Sequence, residues 1–125
     1  MSELDISLVL RPPQAAPEAW FEGHVEMEAI NDNVATGLRQ GRVHFYDGGR
    51  TRWHLHVGDQ VLYFLSGHGM VEKLGGTLIE TVAGDIVHIP GGLQHRHGAQ
   101  AGKSATHIAI TQGETIWDND PRYPV

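Results

Sequence analysis

His54-Leu55-His56 lies in a segment of strand-like composition. Side chains on a strand alternate between faces, so the two imidazoles of a His-x-His point the same way, one above the other along the pleat. Val57-Gly58-Asp59 has the turn chemistry to reverse the chain, and Gln60 opens the next strand with its amide oxygen beside the histidine pair, a third candidate ligand. Further on, Gly84 to Ile89 reads as a strand, Pro90-Gly91-Gly92 as a turn, and the returning segment delivers His95 and His97, one of which can complete a site. Cysteine is absent, so any metal must sit on nitrogen and oxygen. Such donors with open positions suit Mn, Fe, Co, Ni or Zn, and affinity order alone does not choose among them.

The elements that position these groups are short and β-rich. Sixteen glycines punctuate the chain, and between them lie 42–46, 52–57, 60–65, 69–74, 77–82, 86–89 and 105–111, each rich in β-branched, aromatic or other apolar residues. Turn signals at roughly 8–12 residue intervals indicate an all-β sandwich or barrel. Beyond Val34 no window holds helical apolar spacing for more than two turns before a glycine or Pro90 interrupts it, so helix should be scarce. Near the N-terminus, Asp5 to Leu10 is a candidate strand, Arg11 to Glu18 with three prolines is expected to be an irregular connection, and Trp20 to Ala29 alternates as a strand with one exposed face. The chain is read as a single domain, with an arm over about 1–19, a barrel over about 20–112 and a tail over about 113–125. The tail is expected to pack an aromatic on the barrel or on a second subunit and is assigned no chemistry.

Composition narrows the partners. A net charge of −6 repels phosphate backbones and anionic lipid, so neither nucleic acid nor a membrane surface is an expected partner. The longest purely aliphatic or aromatic run, Val61 to Leu65, is far below the roughly 20 residues of a spanning helix. Glu3 and Asp5 stand where a secretory signal would carry Lys or Arg, and a cytoplasmic protein is expected.

As spacings, Gly48-x5-His54-x-His56-x3-Gln60-x6-Gly67 and Gly84-x5-Pro90-x-Gly92-x2-His95 together resemble both motifs of the cupins. Gln60 replaces the usual Glu, and Ala99 stands where the second motif usually ends in Asn. The resemblance implies a single-domain, jelly-roll, antiparallel β-barrel with one divalent metal on His54, His56, Gln60 and His95. Trp20-Phe21-x-Gly23, Gly49-x-Thr51-x-Trp53-His54, Gly84-Asp85-Ile86-Val87, His95-x-His97-Gly98-Ala99 and Thr106-His107-Ile108-Ala109-Ile110 are similar to the manganese-dependent bacterial hydroxynitrile lyase-like cupins. That likeness implies manganese as the preferred ion, His107 as a catalytic group, and Val43 and Thr51 as pocket lining. His97 is placed beside the ligands by alternation with His95, and Thr111 stands at a pocket position where the subgroup commonly has Gln. His107, Ala109 and Thr111 share one strand face, in agreement with that placement.

The function this implies is lyase chemistry on a small hydroxy or carbonyl compound. The metal holds a hydroxyl oxygen, and His107, with an imidazole's ordinary pKa, takes its proton. A quercetinase-like dioxygenase and a non-catalytic small-molecule-binding cupin are the alternatives. A homodimer is also implied, since cupin barrels commonly pair through edge or swapped terminal strands.

Overall fold

Gly67 bends one of the two longest strands among the described residues and lets the sheet close. The computed structural model describes residues 5–6, 8, 12–33 and 37–124, with 31–33 by backbone alone. These form ten strands: β1 (Gln14–Ala15), β2 (Phe21–Asn33), β3 (Leu38–Thr51), β4 (His54–His56), β5 (Gln60–Lys73), β6 (Leu78–Val82), β7 (Ile86–Ile89), β8 (His95–Ala99), β9 (Ala105–Gln112) and β10 (Thr115–Trp117). The described residues include no helix, and hence none long and apolar enough to cross a membrane. The all-β reading is correct.

All pairings are antiparallel, in the order β1-β2-β3-β9-β5-β8-β4-β10, with β6 and β7 added beside β5. Residues 60–67 of β5 pair with β9, whereas residues 69–73 pair with β8. β3 likewise runs along β9 through residues 38–45 and meets β8 at Arg50↔Gly98. Because these two long strands each pass from one set of neighbours to another, the sheet curls into a barrel with few free edges.

The sequence pattern had divided β5 into 60–65 and 69–74. Instead the chain continues through Gly67, with φ at 78° and a register shift between Phe64 and Ser66. A glycine in this conformation, beside a bulge, re-aims a strand rather than ending it. A second difference lies in the proline-rich connection, where Gln14 and Ala15 pair with β2 as an edge strand. They sit between Pro13 and Pro17, where amide hydrogens are available for pairing. Of the strand expected at Asp5 to Leu10, only Asp5, Ile6 and Leu8 are described and none is in a strand; the rest lies outside the described residues.

Alternation sorts the faces. Gln60, Leu62 and Phe64 of β5 are buried while Tyr63 and Leu65 face outward. Two apolar clusters result, one of Val25, Val43, Phe45, Ala99 and Ala105, the other of Leu62, Phe64, Val71 and Ile89. The His107 ring lies between them, 5.1 Å from Phe45 and 5.2 Å from Phe64.

A methyl group on Gly67 would meet the Ser104 carbonyl oxygen of the neighbouring chain segment and would hold a left-handed backbone. Gly67→Ala is therefore expected to cost about 1–3 kcal/mol of stability or more, read as a lower denaturant midpoint at unchanged m-value. A wild-type midpoint would mean that β5 turns this corner without needing glycine.

Candidate metal centre and cavity

β4 is short and wholly buried. On one side it pairs with β8 at His54↔His95, and on the other with β10, which sets Thr115 opposite His56 and Trp117 opposite His54. Gln60, the first residue of β5, pairs with Thr111 of β9. The four ligand candidates thus come from three strands to one end of the barrel, with ring centroids 4.9 Å apart for His54–His56, 4.3 Å for His54–His95 and 5.3 Å for His56–His95.

Their outer hydrogen bonds decide what they present inward. His54 Nδ1 lies 2.8 Å from the Arg52 carbonyl oxygen and His95 Nδ1 2.8 Å from that of Leu93. A carbonyl only accepts, so each ring carries its proton on Nδ1 and leaves Nε2 as a lone pair. His56 Nδ1 is 2.8 Å from Thr115 Oγ1, and its buried Nε2 has no partner among the described residues. Gln60 Nε2 donates to Thr111 Oγ1 at 2.9 Å, which turns its Oε1 inward to 3.2 Å from His95 Nε2. Two acceptors face each other there with no hydrogen between them, beside the unpartnered Nε2 of His56. Such a set is satisfied by a cation, and neutral imidazole with amide oxygen fits a divalent transition ion.

Burial, with the neighbouring imidazoles adding to it, drives the pKa of His54 well below that of an ordinary histidine and that of His56 down to about 3. Burial lowers His95 as well. The rings are neutral at pH 7, as ligation requires.

His97 also belongs to this cluster. One ring nitrogen each of His54, His95 and His97 lies within 4.8 Å of the others. Its Nδ1 is 2.9 Å from His107 Nε2, so one proton is held between the two rings, while His97 Nε2 and His107 Nδ1 have no partner among the described residues.

A cavity of about 250 Å³ opens beside the cluster. Val43, Thr51, His97 and Thr111, the four expected pocket residues, all reach its wall, as do His54, His56, Gln60 and His107. Thr51 Oγ1 accepts the His97 backbone N–H at 3.1 Å and fixes that strand. Val43 is the cross-strand partner of His107. His107 differs from the sequence expectation in one respect: complete burial lowers its pKa to about 4, so at neutral pH it is an uncharged rather than a half-protonated imidazole.

The C-terminal tail, to which the sequence reading gave no chemistry, supplies part of this end of the barrel. β10 brings Thr115 to His56, and Trp117 packs 4.5 Å from the His54 ring while stacking on Trp20 at 5.5 Å. Arg39 was also missed; it lines the cavity and donates from Nη2 to both Gly113 O and Thr115 Oγ1, at 2.7 Å each. The signals were present as period-2 rows, Thr115/Trp117 after a glycine turn and Arg39/Gly41/Val43/Phe45. The histidines matching no motif stay off the cavity wall: His44 bonds Glu28 and Thr106, and His88 bonds Asp59.

A family model for the cupin domain matches residues 41–111. Among curated proteins, the chain is 35% identical over 97 residues to an (R)-mandelonitrile lyase of Granulicella tundricola, covering 77% of this chain and 74% of that one. Among solved structures it is similar to a cupin-like protein of Thermotoga maritima, with TM-score 0.80 and 27% identity over 89% of this chain and 88% of that one. A putative acetylacetone dioxygenase of Methylibium petroleiphilum shares the fold, with TM-score 0.77 and 13% identity over 100% of this chain and 90% of that one.

The buried imidazoles set an acid limit. Unfolded histidines take up protons near pH 6.5, whereas folded His107 resists until about 4 and His56 until about 3. The unfolded state therefore binds more protons in that interval, and each group contributes about 1.4 kcal/mol per pH unit within its window. Metal-free protein is expected to hold full stability above about pH 6.5 and lose it progressively as pH falls toward 4. Denaturant unfolding at pH 7.5, 6 and 5 checks this; equal stability at all three would show that the rings protonate without opening the fold.

Proposed function

The chain belongs to the cupin domain family, and from that premise we propose that it is a metal-dependent lyase of the hydroxynitrile lyase type, acting on a small hydroxy or carbonyl compound. The observation that carries the reading is the inward set of acceptors without hydrogens, Nε2 of His54 and His95 with Oε1 of Gln60, beside the unpartnered Nε2 of His56. These four are the proposed ligands, with manganese preferred. A divalent ion there supplies Lewis acidity toward a substrate oxygen, at full charge because all four ligands are neutral.

The protein's own groups do the rest. His107, neutral and desolvated, accepts the hydroxyl proton of a cyanohydrin. The oxygen's electron pair then forms the carbonyl as the carbon–carbon bond to the nitrile breaks, and cyanide leaves with that bonding pair. His97, one hydrogen bond away, keeps the His107 ring oriented and shares its proton. Phe45 and Phe64 flank His107 and exclude water from the transfer. Val43, Thr51 and Thr111 shape the space for the substrate. Identity to the Granulicella protein supports the lyase assignment over the dioxygenase one, for which likeness is confined to the fold. The working form in this reading is a homodimer, for which the exposed apolar row Tyr63, Leu65, Ile86 and Ile110 on the outer face of β5, β7 and β9 offers a surface.

Elemental mass spectrometry of untagged protein is expected to find near-stoichiometric manganese or iron, lost in His54→Ala and His56→Ala and kept in His97→Ala. Metal lost from His97→Ala but retained in His56→Ala would replace the fourth ligand. His107→Ala is expected to keep its metal and lose roughly 10²–10⁴-fold in kcat on mandelonitrile. Full activity in that variant removes His107 from the mechanism, and oxygen uptake without cyanohydrin cleavage turns the reading to a dioxygenase.

A further inference from the structure

Two threonine hydroxyls on the cavity wall have their oxygens taken by the side chains that hold the candidate ligands, and their hydrogens are left over. Gln60 Nε2 donates to Thr111 Oγ1 at 2.9 Å. Thr115 Oγ1 accepts from Arg39 Nη2 at 2.7 Å and lies 2.8 Å from His56 Nδ1. Ligation through His56 Nε2 requires the ring hydrogen on Nδ1, so in the ligating tautomer Thr115 Oγ1 accepts from both neighbours. Each hydroxyl then keeps one hydrogen, and neither hydrogen meets an acceptor among the described residues. Thr111 is 6% exposed, and both threonines line the cavity.

The sheet brings the two together. Thr111 is the cross-strand partner of Gln60 on one side and of Arg39 on the other, and Arg39 reaches across to Thr115, so both threonines adjoin one arginine. His107 stands on the same face of β9 as Thr111, with Ala109 between them on the cavity wall. Four residues of strand put the His107 and Thr111 backbones about 13 Å apart. A substrate whose hydroxyl meets His107 therefore presents its other polar group to the threonines, past the small side chain of Ala109.

We propose that Thr111 and Thr115 form a subsite for an acceptor group without hydrogens, namely the nitrile nitrogen of a cyanohydrin and the cyanide that leaves from it. The inference rests on the lyase reading and on ligation through His56 and Gln60. As the carbon–carbon bond breaks, its electron pair departs with the nitrile carbon, and negative charge spreads to the nitrogen. Two desolvated O–H donors stabilise that charge more than they stabilise the neutral nitrile, and no proton leaves either threonine. The oxygens are held by donors that the site itself fixes, so the hydroxyls are oriented before the substrate arrives. A group that carries hydrogens of its own, such as an ammonium, would set donor against donor there.

The probe is phenylacetonitrile, which keeps the nitrile of mandelonitrile and lacks its hydroxyl, bound to manganese-loaded protein and followed by calorimetry and by the C≡N stretch. A hydrogen bond to the nitrile nitrogen raises that frequency, so wild type is expected to show a band above that of the probe in a solvent without donors. Thr111→Val and Thr115→Val, compared at equal metal content, are each expected to weaken the probe roughly fivefold, with ethylbenzene within about twofold of wild type. Both valine variants move the band toward the free frequency, and Thr111→Ser and Thr115→Ser restore band and affinity. A free-nitrile band in wild type, failure of the probe to bind, an unchanged band in both valine variants, or a parallel loss of ethylbenzene overturns the proposal. Nitrogen on the metal also raises the frequency, and exchange of manganese for zinc separates the two cases. A band that moves with the ion overturns the proposal, and one that stays supports it; this comparison uses wild type alone and decides the matter even if the valine variants lose their metal. Turnover of mandelonitrile by the same samples separates the two claims. A donor-shifted band without cleavage keeps the subsite and removes the lyase reading, whereas cleavage with a free-nitrile band does the reverse.

Discussion

Two backbone carbonyls, those of Arg52 and Leu93, each lie two residues before a buried histidine and 2.8 Å from its Nδ1. Because a carbonyl oxygen cannot donate, this short-range bond leaves only one neutral tautomer for His54 and for His95, and it leaves both Nε2 lone pairs aimed into the barrel. The pairing His54↔His95 sets those lone pairs side by side. Thr111 then turns the Gln60 oxygen toward them, and Thr115 holds the outer edge of His56. The barrel's strand register brings these bonds to one end.

Burial makes this arrangement both usable and costly. The same desolvation that keeps five imidazoles uncharged near neutrality leaves ring nitrogens of His56, His97 and His107 without partners. Buried polar atoms left in that state destabilise a fold unless a ligand satisfies them. A centre built this way is held rigid by apolar neighbours such as Phe45 and Phe64 and is neutral in itself, so the charge it presents comes from what it binds.

Much of this was legible before any coordinates. The glycine-punctuated β-rich segments forecast an all-β chain, and 86–89 agrees with β7 residue for residue. His54, His56, Gln60 and His95 stand at motif spacing, and the period-2 rule placed His107 on the same strand face as Thr111. What escaped was non-local or conformational. Gly67 reads as a stop because a glycine that bends a strand and one that ends it look alike in one dimension. Gln14–Ala15 reads as loop because its partner, β2, lies beyond the prolines. Thr115 and Trp117 acquire their role only by pairing with β4, some sixty residues earlier in the chain. The lowered pKa of His107 follows from two apolar clusters closing around it, which no local pattern announces.

The most direct test of the tautomer argument is a long-range ¹⁵N–¹H correlation spectrum of the histidine rings in metal-free protein at pH 7.5. His54 and His95 are predicted to be neutral with the proton on Nδ1 and an Nε2 shift of lone-pair type, and addition of manganese should broaden those Nε2 resonances first. Protons found on Nε2, or charged rings at that pH, would contradict the account, because the nitrogens facing the centre would then be donors with nothing to offer a metal.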